Sequence, residues 1–83
     1  MEKAEIFTKL NQVFRDVFDD EELVISETTT ANDIADWDSL EHINLIVAVE
    51  EAFGIKFNMN EVTTMKNVGE MAALITNKII AEV

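Results

Sequence analysis

Apolar residues recur along most of the chain at helical rather than strand spacing. Ile6, Leu10, Val13, Phe14 and Val17 stand on one face of a 3.6-residue period, which predicts a first helix over residues 3–18. Asp19-Asp20-Glu21-Glu22 follows. Four carboxylates at a C-terminus oppose the helix macrodipole, so the helix is expected to end there. Residues 19–38 hold no sustained period. Leu23, Val24, Ile25 and Ile34 are the expected anchors of this segment, and Thr28-Thr29-Thr30 reads as a turn. A loop of about twenty residues is long for a compact domain and points to a functional role.

Asp38-Ser39-Leu40-Glu41 opens a second helix as an acidic capping box: Asp38 accepts from first-turn amides and Glu41 reaches back to the cap. Such a cap contributes about 1 kcal/mol. Phe53-Gly54-Ile55 closes the helix, with Gly54 free to take the left-handed conformation. A short helical turn is expected over residues 59–65 around Val62 and Met65. Asn67 with Glu70 forms another capping box, followed by Val68, Met71, Ala72, Ile75 and Ile79 at helical spacing. No stretch alternates cleanly as a strand would. The expected fold is all-α, a small four-helix bundle of three longer helices and one short one, with a long loop between helices 1 and 2.

The second helix carries more apolar surface than a core needs. With Ser39 at the origin and about 100° per residue, Leu45, Val49, His42, Phe53 and Ile46 fall on one arc, the expected core face. Ile43, Val47 and Leu40 form a second stripe beside Ser39, edged by Glu50 and Glu51. Either this stripe is a docking surface or the short third helix covers it; the helical wheel leaves both open.

Eighty-three residues allow one domain, spanning 1–83. The absence of cysteine excludes a disulfide framework, a thiolate nucleophile and a Cys-type zinc site. No apolar run approaches the ~20 residues of a membrane span, and the N-terminus does not read as a signal sequence, so a cytosolic monomer is expected. The net charge of −11 argues against a nucleic-acid binder. That charge is unevenly placed: no basic residue stands between Arg15 and Lys56, and residues 16–55 hold twelve of the seventeen acids. A solvated face accounts for this, as does a surface that steers basic partners.

Three chemistries are conceivable at Asp38-Ser39. Asp38, Ser39 and His42 are the residue types of a hydrolase triad, but His42 points to the core arc and Asp38 is needed as a cap. Asp33, Asp36 and Asp38 cluster, yet the segment lacks the glycine and terminal glutamate of a calcium loop, so no dedicated metal site is expected. The third possibility is a serine that is modified. A phosphate on Ser39 would gain about 0.3–1 kcal/mol from the helix start. Asp36, Asp38 and Glu41 would each cost about 0.6 kcal/mol at ~7 Å in water. These roughly cancel, so an attached arm would not be pinned to the helix.

Asp38-Ser39-Leu40, followed by Glu41 to Ile55 with its Glu-Glu-x-Phe ending, closely resembles the acyl carrier proteins, and the likeness runs over essentially the whole chain. The resemblance implies that Ser39 receives 4′-phosphopantetheine from coenzyme A through a magnesium-dependent phosphopantetheinyl transferase, with Asp38 completing the motif. The terminal thiol then carries acyl groups between enzymes, which supplies thiol chemistry to a protein without cysteine. It also implies docking to basic patches on acyl-loading and acyl-transferring enzymes through Leu40, Glu41, Ile43, Val47, Glu50 and Glu51, largely the stripe and rim already found on the wheel. The chain would be a carrier and no enzyme.

Trp37 before the motif resembles carriers of specialised pathways, such as polyketide, modified lipid or surface-glycan assembly, more than those of housekeeping fatty-acid synthesis. Asn44 and the nearly uncharged third helix depart from the family's usual acids. Trp37 also reads as an apolar cap over the helix start. An acyl chain is expected to shelter, if anywhere, under Ile46, Val49 and Phe53. Two other readings stay open: an aminoacyl or peptidyl carrier of the D-alanyl type, and an unmodified acidic helical adaptor.

Overall fold

The computed structural model describes residues 2–81, with side chains as far as Ile79. Four helices follow in order: α1 (Lys3–Phe18), α2 (Ser39–Phe53), α3 (Met59–Thr64) and α4 (Val68–Ala81). No strand occurs among the described residues, and the all-α bundle is as the periodicity requires.

α1 buries Ile6, Leu10, Val13, Phe14 and Phe18; Val17, also expected on that face, is half-buried. α2 meets it with Leu45, Ile46 and Val49, and α4 with Val68, Met71, Ala72 and Ile75. Each large side chain so enclosed contributes about 1.5–3 kcal/mol relative to exposure. α3 contributes no buried residue at all. The core is therefore built by the three longer helices and by loop residues Ile25, Ile34 and Ile55.

The long loop 19–38 is stitched down rather than free. Arg15 Nε donates to the Leu23 carbonyl at 2.7 Å, and the Ile25 amide donates to Asn11 Oδ1 at 2.8 Å. Both bonds turn the segment so that Leu23 and Ile25 face the bundle. Val24 between them points outward and is 71% exposed, which corrects its expected role as an anchor. At the far end, the Val68 and Gly69 amides donate to the Thr29 and Glu27 carbonyls, each at 2.9 Å. Gly69 is required there, because a Cβ would lie 2.8 Å from the Glu27 carbonyl oxygen.

α2 ends as expected. Gly54 takes φ 66°, and the Ile55 amide returns to the Glu50 carbonyl at 3.1 Å. α1 ends in the same manner without a glycine: Asp19 sits at φ 52°, and the Asp20 amide returns to the Arg15 carbonyl at 3.0 Å. An aspartate in the left-handed region, at the negative end of a helix, is doubly unfavourable. Asp19→Gly is expected to stabilise the fold by about 0.5–1 kcal/mol. A urea titration checks this, and an unchanged or lower midpoint would show that Asp19 makes a compensating contact.

Candidate functional site

Ser39 is the first residue of α2, and its place is set by the residue before it. Asp38 takes an extended conformation, and its Oδ1 accepts from the Glu41 amide at 2.8 Å. Only half of the expected capping box forms. The Glu41 carboxylate accepts from Asn44 Nδ2 at 3.2 Å instead of reaching back, and the Asp38 amide is taken by the Asp36 carbonyl at 3.0 Å. Ser39 is exposed, and its hydroxyl makes no hydrogen bond among the described residues.

Behind it stands a hydrogen-bonded relay. The Trp37 indole N–H donates to His42 Nδ1 at 3.0 Å, and His42 Nε2 lies 3.0 Å from the Val62 carbonyl. An indole N–H can only donate and a carbonyl can only accept, so the partners assign the neutral tautomer with its proton on Nε2. Both ring nitrogens are thereby engaged away from the Ser39 hydroxyl, and Asp38 is engaged as a cap, so the three residues do not form a triad. Trp37 is more than a cap over the helix start. It stacks on His42 at 5.9 Å and meets Phe14 edge-on at 5.4 Å, joining α1 to α2. Asp33 is used locally, its carboxylate accepting from the Thr30 amide at 2.9 Å. Among the described residues no three His, Asp or Glu side chains converge as a metal site would require.

α3 is held by polar bonds. Asn58 and Glu61 form a full capping box, with Oδ1 accepting from the Glu61 amide at 2.8 Å and Oε1 accepting from the Asn58 amide at 2.9 Å. The same Glu61 oxygen meets Lys78 Nζ of α4 at 2.8 Å. Lys78 also lies over the Phe57 ring. The Phe57 amide in turn donates to Glu50 Oε2 at 2.8 Å, so Glu50, expected as rim, is half-buried and braces the turn between α2 and α3.

A cleft of about 480 Å³ opens between α2 and α3. Trp37, Asp38, Ser39, His42 and Ile43 line one side, and Met59, Val62, Thr63, Met65 and Lys66 the other. It lies nearer the start of α2 than Ile46 and Val49, which are buried in the core, and Phe53, which is half-buried against it. The second apolar stripe faces outward. Leu40 is 69%, Ile43 59% and Val47 48% exposed, so α3 does not cover it. Glu51 beside it is exposed, and Glu41 partly so. Exposed Met59 on α3 adds to the apolar surface.

Sequence periodicity brings Leu40, Ile43 and Val47 together correctly, but it misses Lys66 and the partnership of His42 with Val62. The Asn58-x-x-Glu61 pattern was available to fix the start of α3. Nothing local marks Lys66 as a cleft residue.

Comparison with known proteins gives the family of the chain. A family model described as "Phosphopantetheine attachment site" matches residues 8–75. An acyl carrier protein of Thermosynechococcus vestitus is 34% identical over 82 residues, covering 98% of this chain and 100% of that one. One from Coprothermobacter proteolyticus is 30% identical over 80 residues, covering 95% and 96% respectively. The solution structure of a holo acyl carrier protein from Geobacter metallireducens superposes with a TM-score of 0.86 at 45% identity, over 92% of this chain and 87% of that one. The chain therefore belongs to the acyl carrier proteins of the phosphopantetheine attachment family, which are carriers with a covalent 4′-phosphopantetheine and not enzymes themselves. No helix among the described residues is long and apolar enough to cross a membrane.

The Lys78 ammonium, bonded to Glu61, and the Asn58 amide hold the Glu61 carboxyl below the usual glutamate range. A folded-state value below the unfolded one means that the pair stabilises α3 at neutral pH and that this contribution is lost as pH falls through the folded value. Protection of the amides within residues 59–64, corrected for the intrinsic pH dependence of exchange, is therefore expected to fall selectively as pH drops below the usual glutamate range. In Lys78→Met that acid-induced step should shrink, because only the Asn58 amide still holds the carboxylate, and in Glu61→Gln it should disappear; a step retained in Glu61→Gln would show that Glu61 does not hold the helix.

Proposed function

We propose that Ser39 carries the phosphopantetheine arm and that α2 presents the docking surface for the enzymes that load and unload it. The observation that carries this reading is an exposed, unpartnered hydroxyl on the first turn of α2, at the mouth of an open cleft and within the matched residues 8–75. In the transfer, Ser39 Oγ bonds to the phosphorus of coenzyme A that bears pantetheine. The pyrophosphate bond breaks, adenosine 3′,5′-bisphosphate leaves with magnesium, and the hydroxyl proton passes to the transferase. Asp38 holds the helix start in place. The arm supplies a thiol that carries acyl groups as thioesters.

Leu40, Ile43 and Val47 supply apolar contact area, and Glu41 and Glu51 supply the charge that draws basic partner surfaces at low ionic strength. Glu50 belongs to the same face but gives one carboxylate oxygen to the Phe57 amide, so it serves the fold as well. Trp37 ahead of the motif, Asn44 in place of an acid and a third helix with Glu61 as its one carboxylate support service in a specialised lipid, polyketide or surface-glycan pathway. The acyl carriers among the relatives support acyl over aminoacyl cargo. We place the protein in the cytoplasm as a monomeric single domain.

Incubation with coenzyme A, magnesium and a broad-specificity phosphopantetheinyl transferase should add the mass of one arm, and Ser39→Ala should add none. The variant should keep its helical circular dichroism, because Asp38 and not Ser39 caps α2. Modification of the variant would move the attachment point elsewhere, and a large loss of helicity would show a structural role for the hydroxyl. Glu51→Lys should slow loading about two- to fivefold, more at low salt than at high. Equal rates at both salt concentrations would reduce the acidic rim to a solvated face.

A further inference from the structure

We infer that His42 is a proton-operated clasp on Trp37: the neutral imidazole holds the indole, and a proton taken up at Nδ1 releases it and loosens the loop that delivers Ser39. The inference concerns the fold around Ser39 and stands whether or not that serine carries the arm.

Both imidazole nitrogens are in use. The Trp37 indole nitrogen lies 3.0 Å from His42 Nδ1, and the Val62 carbonyl lies 3.0 Å from Nε2. The first contact needs a bare lone pair on Nδ1, because an indole N–H can only donate. A second proton makes both ring nitrogens donors. At Nε2 an N–H still meets a carbonyl, now in a charge-assisted bond. At Nδ1 two N–H groups point at each other, and the contact is lost. Proton uptake therefore acts on one side: His42 stays tied to α3 while Trp37 comes free. The freed indole has a second arrangement within reach, since its ring already stacks on the imidazole at 27° and an indole face attracts a cation. Trp37 directly precedes Asp38, the cap of α2, so its release passes to the helix start.

The surroundings leave this change to His42. Asp38 and Lys66 line the same cleft with opposite charges, and neither side chain bonds to the imidazole among the described residues. Glu41, beside His42 on α2, is turned to Asn44, and Glu61 of α3 is turned to Lys78 of α4. α1 presents the rings of Phe14 and Phe18 to Trp37. Histidine is the side chain whose ordinary charge change falls between about pH 5 and 8. His42 is the one histidine in a chain without cysteine.

The test follows nitrogen-labelled apo protein by NMR from about pH 8 to about pH 5, in wild type, His42→Gln and Trp37→Phe, with circular dichroism confirming the helices throughout. At the upper end, wild type should show the neutral tautomer with its proton on Nε2 and an indole proton protected from solvent. As the imidazole titrates, indole protection, corrected for the intrinsic pH dependence of exchange, should fall about two- to tenfold, the worth of one neutral hydrogen bond. Protection of the Glu41 amide, which Asp38 caps, should fall with it. His42→Gln, neutral throughout, should show no such step, and Trp37→Phe should titrate at His42 with the Glu41 amide level. An imidazole that titrates while the indole stays protected overturns the inference. So does a proton on Nδ1 at the upper end, or a His42 that stays neutral over the whole range. A step retained in His42→Gln assigns it to another group and overturns it too. If His42→Gln loses its helices, Trp37→Phe decides: a step at Glu41 retained there overturns the inference equally.

Discussion

Trp37 is the point at which four parts of the molecule meet. Its ring packs against Phe14 of α1, it immediately precedes the cap of α2, and its indole N–H reaches His42 and through it the Val62 carbonyl of α3. The bonds run in one direction, donor to acceptor twice over, which fixes the imidazole tautomer and ring orientation together. The placement of Ser39 depends on this arrangement. A hydroxyl on the first turn of a helix is only as well positioned as the loop that delivers it, and the loop's last aromatic residue is locked to both neighbouring helices.

The remainder of that loop is held by hydrogen bonds from its backbone to side chains of α1 and to backbone amides at the start of α4. Ordering one residue costs about 1–2 kcal/mol in lost conformational freedom, so an unpinned loop of this length would stay mobile. Arg15, Asn11, Val68 and Gly69 supply the fixed points, and burial of Ile25 and Ile34 adds the favourable term. The acidic stretch that gives the chain its charge is therefore displayed from a constrained frame, and its field has a definite direction relative to Ser39.

The long helices were legible because their information is local. Residues 3–18 carry an unbroken apolar face, and Asp38 and Gly54 bracket α2 with residue types whose conformations leave little choice. What escaped depends on partners distant in the chain. Val24 faces solvent because Arg15 and Asn11 bind the residues on either side of it, and alternation within a six-residue stretch cannot reveal a bond to another helix. Glu50 lies on the rim of its helix, yet the Phe57 amide arrives from beyond the turn and claims one of its oxygens. His42 lies half-buried on the core arc that its spacing predicts, but its partner Val62 stands twenty residues on. Lys66 entered the cleft through the path of the chain after α3, which no periodicity encodes.

α3 has six residues and none of them is buried. Every fully enclosed side chain belongs to the other three helices. Effects of substitutions at sites that share no partners add nearly independently, so the outward and cleft-facing positions of α3, Met59 and Thr63 among them, can change with little effect on the rest of the bundle. What ties α3 in is Glu61, the Val62 carbonyl and the half-buried Val62 side chain packed against the core. The short helix thus behaves as a replaceable cassette. The same three-helix chassis could be refitted for a different client by altering a handful of surface codons, with the interior left untouched.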